Sequence, residues 1–290
     1  MIKFLKEVFN HFFNSNTFQK GAALAYYAVF SIFPIIIIVV SIMGIVFGKQ
    51  AVSGEVFTQL KDTLGSTAAL QIQDIIKHQH INNNSILTSI LGVVTLVLSA
   101  SGIFSQIHNA FNNIWNIKAK PKNSILRYFT KHMYSFILLM VLFFILIVST
   151  FANAYLVKYM SFLSKEYKLY IFYEHVSSFL IISILFAIMF KFLGDAKVHW
   201  KPALISGVFT GLLFVLGKLG ITAYLGKSHL SSTFGSASIL ALIMLWVYYT
   251  SQIIFLGASF LKILSQKLHL DIKPNANAVA FVRQEIENEK

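Results

Sequence analysis

The stretch that most constrains the fold is a charge-free run near the start of the chain, residues 22–48. As an α-helix it would be about 40 Å long, which exceeds the roughly 30 Å hydrocarbon core of a bilayer. Tyr27, Ser31 and Pro34 follow i, i+4, i+7 spacing and share one helix face. Pro34 lacks the amide donor, so it kinks the helix. A kinked first span with hydroxyl groups predicts a protein that encloses something polar.

The composition indicates a membrane protein. Of the 290 residues, 56% are hydrophobic and 12% are charged, whereas soluble domains carry about 25% charged residues. The net charge of +13 is explained by cationic loops facing an anionic leaflet, so we expect membrane lipids and no nucleic acid as partners. The absence of cysteine excludes disulfides and thiolate metal sites.

The hydropathy pattern predicts an all-α, polytopic fold with six transmembrane helices in a domain over residues 21–264. An amphipathic interfacial helix precedes it in residues 1–20, with Ile2, Leu5, Phe9 and Phe12 on one face. Short amphipathic helices are expected in an outer insert, 49–85, and a polar cytosolic tail of a composition compatible with disorder in 265–290. The predicted spans are 22–48, 86–104, 133–157, 176–190, 203–224 and 237–263.

The distribution of Lys and Arg predicts the orientation. The two termini and the loops after the second and fourth spans hold more than twice as many of these residues as the opposite loops. Because cytoplasmic loops are enriched in cations, both termini are expected in the cytoplasm.

Polar residues continue along the second span and beyond it. Ser99, Gly102 and Gln106 follow helical spacing, and Ser101 runs alongside. Such a stripe faces either a wet cavity or the cytosolic interface, and for residues 99–102 a cavity or a close helix contact is favoured. Residues 109–113 are predicted to lie at the membrane interface, because Trp115 is typical of an aromatic belt. His108 is interpreted as a residue of the polar helix face.

Two later spans add further candidates. Lys218 is the charged residue well inside the predicted fifth span, and it either contacts an anionic group or snorkels to the surface. Gly207 and Gly211 form a GxxxG step typical of close helix packing. In the sixth span Tyr248 and Gln252 share a face, and Gly257 with Ala258 allows close approach of a neighbouring helix.

No positive sign of an enzyme emerges. The acidic residues all lie outside the apolar spans, and HExxH, GxSxG, P-loop and GxGxxG motifs are absent from the sequence. We therefore predict no catalytic residues, no metal and no cofactor.

Several segments resemble the YihY/virulence factor BrkB family of bacterial inner-membrane proteins with six predicted spans. They are LAYYAVFSIFP, SASGIF, AFNNIW, AKVHW, LGK, AYLGKS and FGSASILALIMLWVYYTSQIIFLGASF. The resemblance implies a transport-like role in the inner membrane, with links to serum resistance and envelope lipid movement, and no settled biochemical activity. It also favours a functional role for Lys218, which matches the lysine of the LGK motif.

Two positions depart from the family pattern. The last span often reads GAE, where this chain has Ser259, and the loop before Trp200 often begins with proline and aspartate, where it has Gly194 and Asp195. A mechanism that needs the carboxylate at position 259 would be absent or rebuilt here.

The preferred hypothesis is a transporter or flippase- or scramblase-like protein for an amphiphilic, anionic envelope lipid. The alternative is a structural or scaffold protein of the cell envelope. A tRNA-processing ribonuclease is a remote third reading, kept because some family members carry the label ribonuclease BN, which is regarded as a misassignment.

Overall fold

The computed structural model describes residues 2–30, 70, 102–119, 167–227, 238–276 and 278–282, and this part of the chain is mostly helical. The predicted second and third spans lie largely or wholly outside these residues, as does nearly all of the outer insert. The described elements are α1 (Ile2–Phe13), α2 (17–30), α3 (102–114), β1 (Ile117–Ala119), α4 (Tyr167–Phe192), β2 (Ala196–Lys197), α5 (Trp200–Lys227), α6 (Ser238–Lys267), β3 (Lys273–Pro274) and β4 (Ala278–Ala280).

The apolar residues of α1 lie on two faces of the helix, one buried and one exposed. Val8 and Phe12 are buried, whereas Ile2 and Phe9 are exposed. The helix ends before Asn16, which has a φ of 53°. Asparagine tolerates this left-handed conformation better than most residues and so suits a helix C-terminus.

Two described helical segments are long and apolar enough to cross a membrane, Trp200–Ile221 in α5 and Leu240–Lys267 in α6. A shorter apolar segment, Val176–Phe192, lies in α4. These three segments overlap the predicted fifth, sixth and fourth spans. A mostly helical fold with apolar membrane-span candidates is therefore confirmed, and the count of six spans stays a prediction.

The ends of the long helices follow from local chemistry. Pro202 lies in the first turn of α5, where its missing amide has no helical acceptor to lose. At the end of α6, His269 has a φ of 55°. The Leu270 amide donates to the Ser265 carbonyl at 2.9 Å and the His269 amide donates to the Gln266 carbonyl at 3.1 Å. This is the Schellman pattern, which satisfies carbonyls at a helix C-terminus.

The fold is not purely α. β1 pairs antiparallel with β4, and β2 pairs antiparallel with β3. Residues 273–274 and 278–280 of the predicted polar tail thus form two short strands, the first against the chain after α4 and the second against the chain after α3. The expectation of an all-α fold is corrected here, and the tail, whose composition is compatible with disorder, has regular structure at these residues. Strands of two or three residues carry no periodicity that a sequence pattern could reveal.

The chain divides into two compact units. The first comprises residues 1–18, 104–213 and 252–290, and contains both strand pairs. Its helices α4 and α5 approach closely at Gly207, where an added Cβ would lie 2.5 Å from the Ser183 carbonyl oxygen and 2.8 Å from the Ala187 Cβ. The close packing predicted for the GxxxG step is confirmed.

In the first unit α6 also packs tightly on α5. Phe260 stacks on Phe209 with ring centroids 4.2 Å apart. A Cβ at Gly257 would collide with the Thr210 hydroxyl and lie 2.9 Å from Phe190 Cζ. Glycine at this position therefore sets the helix separation, as the sequence predicts for close approach.

The second unit comprises residues 19–103 and 214–251. Within it, Phe214 of α5 makes an edge contact with Trp246 of α6, with ring centroids 6.0 Å apart. Gly217 leaves room for Tyr249, since a Cβ at that position would collide with the phenol ring. In this unit α5 and α6 thus pack through aromatic side chains.

Candidate functional site

The ten candidate residues from the sequence fall into three groups. Ser31, Pro34, Ser99 and Ser101 lie outside the described residues. Gln106 and Gln252 lie in the first unit. The second unit contains the other four, Tyr27, Gly102, Lys218 and Tyr248.

In the second unit the structure brings Tyr27 and Gly102 together. An added Cβ on Gly102 would lie 2.7 Å from Tyr27 Cε1 and 3.0 Å from Tyr27 Cγ. The tyrosine ring thus lies directly against the glycine. At Gly102 the polar stripe is a close helix contact, which is one of the two arrangements expected from the sequence.

Lys218 lies on an exposed part of α5. Leu216 and Leu219 beside it are 56% and 64% exposed, and no described residue lies within 4 Å of a Cβ added at Gly220. A lysine ammonium in apolar surroundings of this kind needs water or an anion, because its desolvation is costly.

Gln252 and Tyr248 lie on α6 and are both half-buried. The Gln252 amide nitrogen donates to the Thr17 carbonyl at 3.4 Å, and its Oε1 is buried with no hydrogen-bond partner among the described residues. The Tyr248 carbonyl accepts from the Ser251 hydroxyl at 2.6 Å. Gln106 of α3 is half-buried.

The best-defined polar cluster of the first unit consists of His108, Asn112 and Asp195, and we call it the α3 junction. His108 Nε2 lies 3.0 Å from Asp195 Oδ2. Asn112 makes two bonds to the same residue: its Nδ2 donates to Asp195 Oδ2 at 2.9 Å, and its Oδ1 accepts from the Asp195 amide at 2.8 Å. All three residues are buried. The junction therefore fixes the turn after α4 to one face of α3.

Both ring nitrogens of His108 face oxygen atoms. Nδ1 lies 2.6 Å from the Leu193 carbonyl, and Nε2 faces the Asp195 carboxyl. A neutral imidazole has a single N–H donor, whereas the imidazolium has two. Both contacts are therefore hydrogen bonds when an imidazolium faces a carboxylate, or when a neutral imidazole faces a protonated carboxyl. The Leu193 carbonyl engages Nδ1 and the Asp195 carboxyl engages Nε2. Neither nitrogen is therefore available to activate a nucleophile.

The C-terminal end of α3 is held by three other segments of the first unit. The Ile114 carbonyl lies 2.7 Å from His11 Nε2 of α1. The Trp115 carbonyl accepts from Lys262 Nζ of α6 at 3.2 Å. The Asn116 carbonyl accepts from the Phe281 amide at 3.0 Å. A cation at this place also complements the negative end of the helix dipole.

Trp115 is a core residue, and the prediction that it belongs to an interfacial belt is wrong. It is 1% exposed, and its indole N–H donates to the Ala258 carbonyl at 3.1 Å. A Cβ added at Gly194 would collide with the six-membered ring of the indole. Glycine at this position, where the family often has proline, thus makes room for Trp115.

The α3 junction was missed by sequence reasoning. His108 and Asp195 are 87 residues apart, and no spacing rule joins a helix to a distant turn. One signal was available: His108 and Asn112 are four residues apart on one helix face, and Asp195 lies at the loop where the family resemblance places an aspartate. Ser259, at the other departure, is fully buried with its hydroxyl unpartnered in the part of the chain that the structure describes.

No group of three metal-ligating side chains occurs among the described residues. With both nitrogens of His108 engaged, the α3 junction is suited to holding segments together. The described fold thus defines a mostly helical protein with at least two helices suited by length and composition to crossing a membrane.

The chain belongs to the virulence factor BrkB family, whose profile matches residues 8–280. It is similar to a UPF0761 membrane protein of Psychrobacter sp. (strain PRwf-1), with 27% identity over 88% of this chain and 47% of the relative. It is also 24% identical to a UPF0761 membrane protein of Pseudoalteromonas atlantica, over 95% of this chain and 90% of the relative. A similar protein of Mannheimia succiniciproducens is 25% identical over 91% and 90%.

The chain spans about half the length of the Psychrobacter relative and 60% of a relative from Saccharophagus degradans. No solved structure matches the chain. The relatives are named as membrane proteins, and their names give no enzymatic activity.

Proposed function

We propose that the chain is a bacterial inner-membrane protein that moves an amphiphilic, anionic lipid-type molecule across the bilayer or between its leaflets. Lys218 would contact the anionic group during this movement. Both termini would lie in the cytoplasm, as the distribution of cationic residues suggests.

The observation that carries this proposal is the exposure of Lys218 on an apolar helix. Insertion scales put the cost of a lysine at about 2.5–3.5 kcal/mol at the centre of a bilayer-spanning helix, and Lys218, near the end of the apolar segment Trp200–Ile221, bears part of this cost. An anionic ligand that travels along the lipid-facing surface would offset this cost, because it would pair with the Lys218 ammonium among the exposed leucines. The competing explanation is snorkelling, in which the ammonium only reaches the nearer headgroups.

Nothing in the sequence supplies an energy source. It contains no P-loop, and its acidic residues fall outside the predicted spans, where they cannot form an intramembrane proton relay. The proposal therefore includes both passive movement of the lipid between leaflets and pumping driven by an energy source that the sequence does not reveal.

The test is a reconstitution assay. Purified protein in phosphatidylglycerol-containing vesicles should accelerate the exchange of a headgroup-labelled phosphatidylglycerol between leaflets, measured by quenching of the outer leaflet. Lys218→Met should slow the exchange roughly tenfold, because about 1.4 kcal/mol of lost charge contact corresponds to that factor. Lys218→Arg should retain most of the rate.

Lys201→Met is the matched control, since Lys201 is an exposed lysine in the first turn of the same helix. It should leave the rate unchanged. Equal rates for wild type and Lys218→Met would remove Lys218 from the mechanism. Vesicles with wild-type protein that are no faster than empty ones would overturn the proposal for this lipid.

A structural or scaffold role is the second candidate, favoured by the tight packing at Gly207 and Gly257 in the first unit. It predicts no lipid exchange by wild-type protein, together with envelope defects in cells that lack the protein. Rescue of such defects by Lys218→Met would favour this role over transport.

The proposed orientation has its own test, helped by the absence of native cysteine. Cysteine introduced at the exposed Asn10 of α1 or at the exposed Asp271 after α6 should react in intact cells only with membrane-permeant thiol reagents. Reaction with an impermeant reagent at both positions would place the termini on the opposite side.

A further inference from the structure

A groove of about 400 Å³ lies in the first unit between α1 and the end of α6. Its lining consists of Lys3, Phe4, Glu7, Ile263, Gln266 and Lys267. We propose that this groove binds the phosphate of an anionic phospholipid of the membrane in which α6 is embedded. The inference rests on the membrane location in the proposed function and is independent of lipid movement.

The first argument is the arrangement of faces on α1. Phe4, Val8 and Phe12 follow i, i+4, i+8 spacing, and Val8 and Phe12 are buried. A neighbouring face carries apolar side chains that are exposed: Ile2 at 84%, Leu5 at 37%, Phe9 at 46% and Phe13 at 55%. The remaining face carries Lys3, Lys6, Glu7 and Asn10, all exposed. A helix with a protein-facing, an apolar and a polar face is suited to lie in the membrane interface.

The second argument is the depth at which the groove lies. The apolar segment of α6 that could cross a membrane ends at Lys267, and Lys267 is one wall of the groove. Lys3 is on the polar face of α1, which the interfacial position places towards the aqueous side. The polar edge of an interfacial helix and the end of a spanning helix meet at the depth of the lipid headgroups.

The third argument is that the cationic wall is held in place. Lys267 Nζ lies 5.2 Å from the centre of the Phe4 ring, a cation–π contact. Phe4 in turn packs edge-on against Phe260, with ring centroids 5.3 Å apart, and Phe260 stacks on Phe209. The ammonium of Lys267 thus lies over the end of an aromatic column built from α1, α6 and α5.

The charges of the groove complement an anionic headgroup. Lys3 and Lys267 supply two cations and Glu7 one carboxylate, which leaves one net positive charge for a phosphodiester of single negative charge. The Gln266 amide is a further donor in the lining, and Lys6 adds to the positive field from the same face of α1. Basic pockets beside membrane helices bind anionic headgroups in this way.

The depth of the groove favours a lipid over a free phosphate as the ligand. The exposed Ile2, Leu5 and Phe9 lie on another face of α1 and hold the helix at the bilayer surface, where phospholipids are anchored by their acyl chains. Soluble phosphate would have only the charge contacts, which water screens.

The experiment measures lipid binding in detergent, where no leaflet exists and lipid movement plays no part. Full-length protein is titrated with phosphatidylglycerol, and binding is followed by native mass spectrometry and by the rise in melting temperature. The variant Lys3→Gln/Lys267→Gln should bind phosphatidylglycerol roughly tenfold or more weakly, since each lysine near an anionic headgroup contributes about 1 kcal/mol and 1.4 kcal/mol is tenfold.

The matched control is Lys197→Gln/Lys273→Gln, which removes the same charge at exposed positions on β2 and β3, outside the groove. It should change the affinity less than about threefold. Equal losses in both double variants would overturn the groove as a site. Competition by millimolar inorganic phosphate would overturn the lipid assignment in favour of a soluble anion.

A variant with the opposite effect guards against damage to the fold. Glu7→Gln removes the carboxylate from the lining and should raise phosphatidylglycerol affinity a few-fold, which no loss of folding can imitate. Unchanged or weaker binding by this variant would contradict the charge argument. Lys218→Met should bind as wild type does, so failure of the transport proposal and failure of this site give different results.

Discussion

The two halves of α5 have the same kind of sequence and different surroundings. In its first half, Gly207 and Gly211 meet Ser183 of α4. In its second half, Gly217 packs against Tyr249 of α6, but no described residue lies within 4 Å of a Cβ added at Gly220, and Lys218 is exposed. The first half is thus packed against α4 through its glycines, whereas the second half, packed on α6 along one face, presents a charge and open space at Lys218 and Gly220.

This difference shows that an apolar helix with small residues does not by itself reveal its role. The packed half belongs to a unit that polar contacts also hold together, above all the α3 junction and the caps on the end of α3. The open half carries the residue on which the proposed function depends. If the comparison is right, substitutions in the first unit should cost stability, and substitutions around Lys218 should change activity and leave stability nearly intact.

The largest effect is expected at Asp195. Asp195→Ala leaves His108 and Asn112 buried without their shared partner, and each buried polar group left unsatisfied costs about 1–3 kcal/mol. We expect a clearly lower melting temperature of the purified protein by differential scanning fluorimetry.

The control for this substitution is Asp271→Asn, at an exposed aspartate after α6, which should melt within experimental error of wild type. A melting temperature of Asp195→Ala equal to that of the control would mean that the α3 junction contributes nothing to the first unit.

The next largest loss of stability is expected for Lys262→Met. Lys262 is half-buried and donates to the Trp115 carbonyl, and hydrogen bonds that involve a charged group contribute about 1.5–3 kcal/mol. Methionine preserves the apolar stem of the side chain, so the loss reports on the ammonium. We expect a lower melting temperature than for wild type, measured in the same way, and a smaller effect than for Asp195→Ala. A variant as stable as wild type would show that this cap on α3 is dispensable.

These contacts also show where prediction from sequence succeeds. The apolar periodicity of α1 and the composition of α5 and α6 are local properties, and they led to helices near the observed positions. The packing at Gly207, Gly211 and Gly257 was predicted because a small residue in an apolar helix has few other uses. All of these inferences need only neighbours within a turn or two.

The missed features depend on distant parts of the chain. The strands pair Ile117 with Ala280 and Ala196 with Pro274, and each is too short to have a period. Trp115 was assigned to the membrane interface because its position after an apolar run is typical of belt residues, whereas Gly194 and Ala258 enclose it in the core. Asp195 was noted only as a family position, since its partners on α3 become neighbours after folding.

Gly207→Val tests the packed half of α5 directly. The added Cβ would meet the Ser183 carbonyl oxygen at 2.5 Å and the Ala187 amide nitrogen at 2.9 Å, and backbone atoms cannot move aside as a side chain can. Overpacking of this kind costs about 1–3 kcal/mol, so the melting temperature should fall.

The matched substitution in the open half is Gly220→Ala. It introduces a side chain into free space and a better helix former, which should leave stability unchanged or raise it by up to about 1 kcal/mol. Equal destabilisation by both variants would contradict the distinction between the halves of α5.

The smallest effect on stability is expected at Lys218. Because its side chain is exposed, Lys218→Met should change the free energy of unfolding by no more than about 0.5 kcal/mol, which is usual for surface positions, while the lipid exchange assay shows its loss of rate. The two measurements together separate a functional lysine from a structural one. A drop in melting temperature comparable to that of Lys262→Met would mean that Lys218 supports the fold, and the contrast between the two halves of α5 would then have to be abandoned.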